Sequence, residues 1–421
     1  MAQIAGLSGV FHFRGSGGCC RPDRRTPLMP SILLLQVLNL CIGGASYLMI
    51  ASSAGVWSHG TWREAEVGMA MFLANLAYAS SVSLFGGIAD RWGRTKIAIL
   101  GAGVVGGAAV IGFVGTPLAA AIATILGFLG CAMFFPGNAG LFSDAKGPVE
   151  GASVPLHVKV SRYNLGWSLG NVVGFGGAFL LADQPSWVAF AVALGLSLVP
   201  IAVLARWWSL PPRPPAPEGD RAPHPALPLL TRMGRISLLL YALVGMSVIS
   251  LLETTLARMP GVSEPHRLAT ATLAAYAVGY VLMFAMLGSW SGWVLRPLRL
   301  LALQGFLPLA ALILLVLSEP GLGSMVGIGL LLGFAYGAVY TGSIYYSLRL
   351  PEGAAQAASL HETFLGVGST VGPLVAMGAL AWWATTGHPS LVGLGLYMAL
   401  GAVVLFAWQA SQIPAILKKM S

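Results

Sequence analysis

Apolar residues arrive in this chain as repeated runs, each long enough to cross a hydrocarbon layer of ~30 Å at about 1.5 Å rise per residue. Reading windows of that length places about twelve helices, at roughly 31–54, 67–88, 97–115, 118–142, 163–182, 186–206, 236–256, 268–290, 299–317, 322–347, 362–384 and 391–413. The runs are continuously apolar and do not alternate in segments of about ten residues, which predicts helices and not a barrel. With 56% apolar and 9% charged residues over 421 positions, a water-soluble domain would leave much apolar area facing water. Lipid is therefore the expected solvent, and the expected fold class is all-α, a polytopic membrane protein.

Orientation follows from where Lys and Arg fall. With both termini in the cytoplasm, only Arg63, Arg258 and Arg267 of the 23 Lys and Arg lie outside. The formal charge of +9 is then the sum of the inner loops and suits anionic lipid headgroups. Basic residues form no single stripe, so no nucleic-acid partner is expected. Cys41 and Cys131 fall inside spans, as small apolar groups do, and Cys19 and Cys20 lack metal-type spacing.

The densest charge lies between the second and third runs, in Gly86-Gly87-Ile88-Ala89-Asp90-Arg91-Trp92-Gly93-Arg94-Thr95-Lys96. Gly86, Asp90, Arg91, Gly93, Arg94 and Lys96 stand at spacings that resemble the loop between the second and third helices of the major facilitator superfamily of secondary transporters. The resemblance implies two six-helix bundles rocking about a central cavity. It also implies that Asp90 and the basic residues latch the bundles on the cytoplasmic side. Asp144, at the cytoplasmic end of span four, is a candidate partner for Arg91 or Arg94.

Residues 1–30 are polar and Arg-rich and read as a disordered tail, or as a start-site misassignment, since Met29 directly precedes the first span. A first bundle is expected over 31–208 and a second over 233–421. The Pro-rich cytoplasmic linker 209–232 between them, Pro211-Pro212-Arg213-Pro214-Pro215 through His224-Pro225, cannot continue a helix. A shift of about 198 positions lays Gly170 and Gly174 on Gly368 and Gly372, and Asn164 on Glu362, as a duplicated bundle would. A similar shift lays the segment from Gly288 to Arg296 under the charged loop, with Gly292 where Asp90 would be.

Glycines four apart let helices approach closely. The run from Gly170 through Gly174 resembles the superfamily's Gly-rich antiporter signature, which implies export by proton exchange. Phe175 stands where that signature has Pro, whereas span eleven has Gly372-Pro373. Tight packing alone would use the same glycines. Two acids lie within spans, each costly in lipid and so a candidate for coupling protons. Glu253 sits in the outer third of span seven, and Glu362, beside His361, is expected to open span eleven on the cytoplasmic side. The alternatives are snorkelling for the first and helix-dipole stabilisation for the second. Span four has no Arg in Ile122–Phe128, where proton-coupled relatives often carry one.

The cavity is expected near mid-span, among Asn39, Asn75, Tyr78, Trp167, Asn171, Tyr276, Tyr336 and Tyr340. Tyr336 and Tyr340 share a helix face. The set is neutral and aromatic, which suits a neutral or weakly cationic amphipathic solute better than a phosphate or carboxylate. No His-Glu-x-x-His, Gly-x-Ser-x-Gly or phosphate-binding Gly-Lys-Ser pattern occurs, so an enzyme, a cofactor and a metal are not expected. The expected partners are a small solute, lipid and protons, for a monomer in the cell membrane. Uptake or facilitated diffusion of a nutrient and a non-transporting receptor are the alternative readings.

Overall fold

The computed structural model describes residues 30–420 apart from 60–63, 146–153, 182–183, 210–224, 258–261, 263–264, 295, 351–353 and 387–390. Residues 1–29 of the expected tail 1–30, most of the linker 209–232, Arg63 and Arg258 thus lie outside the described residues. The rest is helical: α1 (Ile32–His59), α2 (Glu64–Trp92), α3 (Arg94–Gly112), α4 (Pro117–Asp144), α5 (Leu156–Leu180), α6 (Ser186–Leu204), α7 (Leu227–Ala257), α8 (Pro265–Ser289), α9 (Pro297–Leu317), α10 (Leu322–Leu348), α11 (Ala354–Thr386) and α12 (Leu391–Met420). Ten of these, all but α5 and α11, are by length and composition apolar enough to cross a membrane.

Three helices start earlier than their apolar content suggests. Helix α5 begins at Leu156, α7 at Leu227 inside the expected linker, and α11 at Ala354. Their first two to three turns carry Lys159 and Arg162, Arg232 and Arg235, and Gln356 and His361, which a hydropathy window discards although they are compatible with a helix, Pro228 standing in the first turn of α7 where proline is tolerated. The correction matters most for Glu362. It lies two turns inside α11, so the helix-terminal role is excluded.

Helices α1–α6 and α7–α12 form two bundles with matching internal contacts: α1 packs on α5 as α7 packs on α11, and α3 on α4 as α9 on α10. Glycine permits the closest of these. A Cβ on Gly170 would lie 2.6 Å from the Leu40 carbonyl oxygen, and one on Gly174 would lie 2.8 Å from that of Gly44. On the other side, Gly368 and Gly372 meet the Leu239 and Leu243 carbonyls at 2.5 and 2.7 Å. These four glycines therefore draw helices together within each bundle. Pro373 lies inside α11, directly after the Gly372 contact.

The bundles meet along two seams, α2 against α11 and α5 against α8. Between α2 and α3 the chain reverses on one residue. Gly93 is buried, with φ 116° and ψ 124°, a conformation that a side chain disfavours.

Candidate functional site

The Gly93 turn presents a charged cluster at one end of the α2–α11 seam. Arg94 is its hub. Its Nη2 lies 2.6 Å from Asp90 Oδ1, its Nε donates to the same oxygen at 2.7 Å, and its Nη1 donates to the Gly140 carbonyl at 3.1 Å and to Asp144 Oδ2. The other Asp90 oxygen accepts the backbone N–H of Gln356 at 2.9 Å. That donor belongs to the first turn of α11, where free N–H groups and the helix dipole favour an anion. Asp90 thus ties the first bundle to the second. Of the two arginines considered for Asp144 it is Arg94 that reaches it, while Arg91 is exposed and Lys96 lies half-buried in the first turn of α3.

One turn along α2, a Cβ on Gly86 would lie 2.3 Å from that of Ser359, so only glycine lets α2 and α11 touch there. The other seam repeats the device: a Cβ on Gly288 of α8 would lie 2.4 Å from that of Ser161 on α5, whose Oγ donates to the Phe284 carbonyl at 2.7 Å. The pairs Gly86–Ser359 and Gly288–Ser161 sit at positions related by the internal repeat. Both seams are closed at the end that carries the Gly93 turn.

Deeper along α11 the side chain of Glu362 is buried between the bundles. Tyr78 of α2 donates to its Oε2 at 2.8 Å, and Tyr340 of α10 donates to Oε1. One phenol comes from each bundle. His361, fully buried, pairs through Nδ1 with Ser343 Oγ at 2.8 Å, and its Nε2 lies 4.0 Å from Glu362.

Around this carboxylate is an aromatic wall. Trp167 of α5 stacks within 5.2 Å of Tyr340, 5.6 Å of Phe284 and 5.8 Å of Tyr280, measured between ring centroids. Tyr336 connects Tyr340 at 5.8 Å to Tyr276 at 5.7 Å and to Tyr241 at 5.9 Å. Asn171 faces the Tyr280 hydroxyl at 3.5 Å.

Of the residues expected at the cavity, the structure brings together Tyr78, Trp167, Asn171, Tyr276, Tyr336 and Tyr340. Two stand apart. Asn39 donates to the Tyr163 carbonyl and accepts from Asn138, a bond network inside the first bundle, and Asn75 donates to the Met71 carbonyl of its own helix. Glu253 belongs to α7, but its side chain is outside the described residues. Sequence reading missed Tyr280, Phe284 and Tyr241. The first two follow Tyr276 at helical spacing, a stripe that could have been extended from it. Among the described residues no group of three His, Cys, Asp or Glu could hold a metal ion.

Among the described residues, twelve helices in two related bundles that close on a buried carboxylate have the architecture of a secondary transporter. The family model of the Major Facilitator Superfamily matches residues 27–373, and the chain belongs to that family. Similar solved structures include the major facilitator transporter FucP in its outward conformation, with a TM-score of 0.64, 13% identity, and coverage of 90% of this chain and 98% of that one. The proton:xylose symporter XylE bound to 6-bromo-6-deoxy-D-glucose has a TM-score of 0.61 and 13% identity, over 89% of this chain and 94% of that one. At this identity the likeness is one of fold. No curated protein sequence matches the chain.

Proposed function

We propose that this transporter exports a small neutral or weakly cationic amphipathic solute in exchange for protons, through alternating access. The observation that carries the reading is Glu362, a carboxylate with one phenol donor from each bundle. An ionised carboxylate accepts on both oxygens, whereas the protonated group turns one oxygen into a donor. A proton on Oε2 therefore displaces the bond that Tyr78 donates across the α2–α11 seam, and loosens that seam, while Tyr340 on the second bundle keeps its hold on Oε1. A solute cation would compete for the same oxygens. Two occupants that exclude each other on one group favour exchange over joint carriage.

In this scheme the Gly93 end faces the cytoplasm, as the distribution of Lys and Arg favours. Asp90, Arg94, Asp144 and the Gln356 amide latch that side while the outer side is open. The aromatic wall supplies a neutral surface for the body of the solute, and rings also favour a cation. Gly170, Gly174, Gly368 and Gly372 hold each bundle rigid, so that motion is confined to the seams.

The purified chain in liposomes, with the membrane potential clamped and an acid interior, tests the reading with tritiated octyltrimethylammonium as probe. A permanently charged probe is not trapped by pH alone. Accumulation should follow the proton gradient, and Glu362→Gln should abolish that dependence while leaving exchange of internal for external probe. Gradient-driven accumulation that persists in E362Q would refute the coupling role.

A further inference from the structure

The second bundle contains a pocket that the site described above does not use. It opens between α7, α8, α9, α10 and α12, and its walls include Val244, Gly245, Thr272, Leu332, Pro308 and Ala402. Two features make the space. A Cβ on Gly245 would meet nothing nearer than the Tyr241 ring at 3.9 Å, so the absent side chain leaves room, and Pro308 interrupts the hydrogen bonding of α9. The pocket is largely hydrocarbon in character, since most of its lining is aliphatic and two of its polar groups are engaged elsewhere. Thr272 Oγ1 donates to the Leu268 carbonyl at 2.7 Å, and the Tyr241 hydroxyl donates to the Leu332 carbonyl. A cavity with so few free polar partners is poorly suited to water and suited to apolar groups.

Its walls also include Tyr241 and Tyr276, whose rings lie against Tyr336. From there a ring-to-ring step of 5.8 Å reaches Tyr340, which holds Glu362. The pocket thus adjoins the aromatic wall at the end away from the carboxylate. We propose that it receives the apolar tail of an elongated cargo whose polar or cationic head lies at Glu362. The preferred cargo is then a lipophilic amine with an unbranched or slender hydrocarbon arm, not a compact sugar-like solute. This inference rests on the proposed exchange at Glu362 for the position of the head. A membrane acyl chain is the rival occupant, and only the cargo assignment uses the adjoining tyrosine wall.

The test measures displaceable binding of butyl-, hexyl- and octyltrimethylammonium to the purified full chain in lipid nanodiscs. If each added methylene enters the pocket, affinity rises by up to about fourfold per methylene. Gly245→Leu fills the space and should flatten the series while leaving the butyl compound unchanged. Ala402→Leu narrows the same space from α12 and should do likewise, which guards against a folding defect in one variant. Glu362→Gln should weaken all three compounds alike. Equal affinities along the series in the wild-type chain, as a lipid-filled pocket would give, overturn the inference. A slope that survives both G245L and A402L overturns it too. By contrast, a steep series unaffected by E362Q would sink the exchange reading and leave the pocket standing.

Discussion

Replacing Gly288 with Ala tests the seam geometry most directly, because every close neighbour of the new atom belongs to one residue. The added Cβ would lie 2.1 Å from Ser161 Oγ and 2.4 Å from Ser161 Cβ, and the next atom, Ser161 Cα, is already at 3.9 Å. Rotating the hydroxyl away does not help, since Cβ is fixed to the backbone. Helices α5 and α8 must therefore separate by about 1 Å, an overpacking that costs about 1–3 kcal/mol in the closed seam alone. A cost of about 2 kcal/mol raises the ratio of open to closed forms at this end about thirtyfold. Ser161→Gly removes both offending atoms. It also removes the 2.7 Å bond to the Phe284 carbonyl, so alone it should open the seam by about 1 kcal/mol. The double variant should match S161G, not G288A. Pulsed electron paramagnetic resonance can read the populations from spin labels at the exposed positions Trp92 and Arg349, with the native cysteines replaced by serine. An unchanged distance distribution in G288A, or a double variant that still resembles G288A, would refute the argument.

Three further outcomes are expected. Asp90→Asn keeps an acceptor for the Gln356 amide but loses the charge that Arg94 holds, so the same label pair should show about a tenfold gain of the open form. An unchanged population would mean that the charge adds nothing to the latch. Gly93→Ala forces a side chain into φ 116° and should cost on the order of 1–3 kcal/mol, read as a lower thermal unfolding midpoint in nanodiscs. Gly170→Ala should lower that midpoint because of the 2.6 Å approach to the Leu40 carbonyl, whereas Gly176→Ala, with nothing within 4 Å, should leave it in place. Equal midpoints for the last pair would show that the α1–α5 packing tolerates a methyl group.

The helices were legible because lipid imposes one rule on all of them, a long apolar run with its backbone satisfied internally. What escaped was what lies outside the apolar window. The first two to three turns of α5, α7 and α11 fall outside the expected apolar runs, yet they carry Ser161, Arg235 and Ser359, which make the seam and its surroundings. The Asp90 cluster was readable from spacing because its partners are close in sequence or at fixed helix ends. The bond from Tyr78 to Glu362 was not, as it joins residues far apart in the chain and depends on how two bundles sit against each other. Asn39 and Asn75 show what position alone leaves open. A polar residue at mid-span depth can satisfy itself on a nearby carbonyl, and nothing in its position says which way it points.

Gln356, Ser359 and Glu362 follow one another at steps of three along α11, and each meets α2, at Asp90, Gly86 and Tyr78 in turn. A stiff rod fastened at three collinear points cannot peel from one end without straining the others. Release should accordingly be all-or-none, since any half-unzipped form would strand a buried carboxylate oxygen without the donor that Tyr78 supplies. Such cooperativity would suppress slippage, the futile leak of ions without cargo.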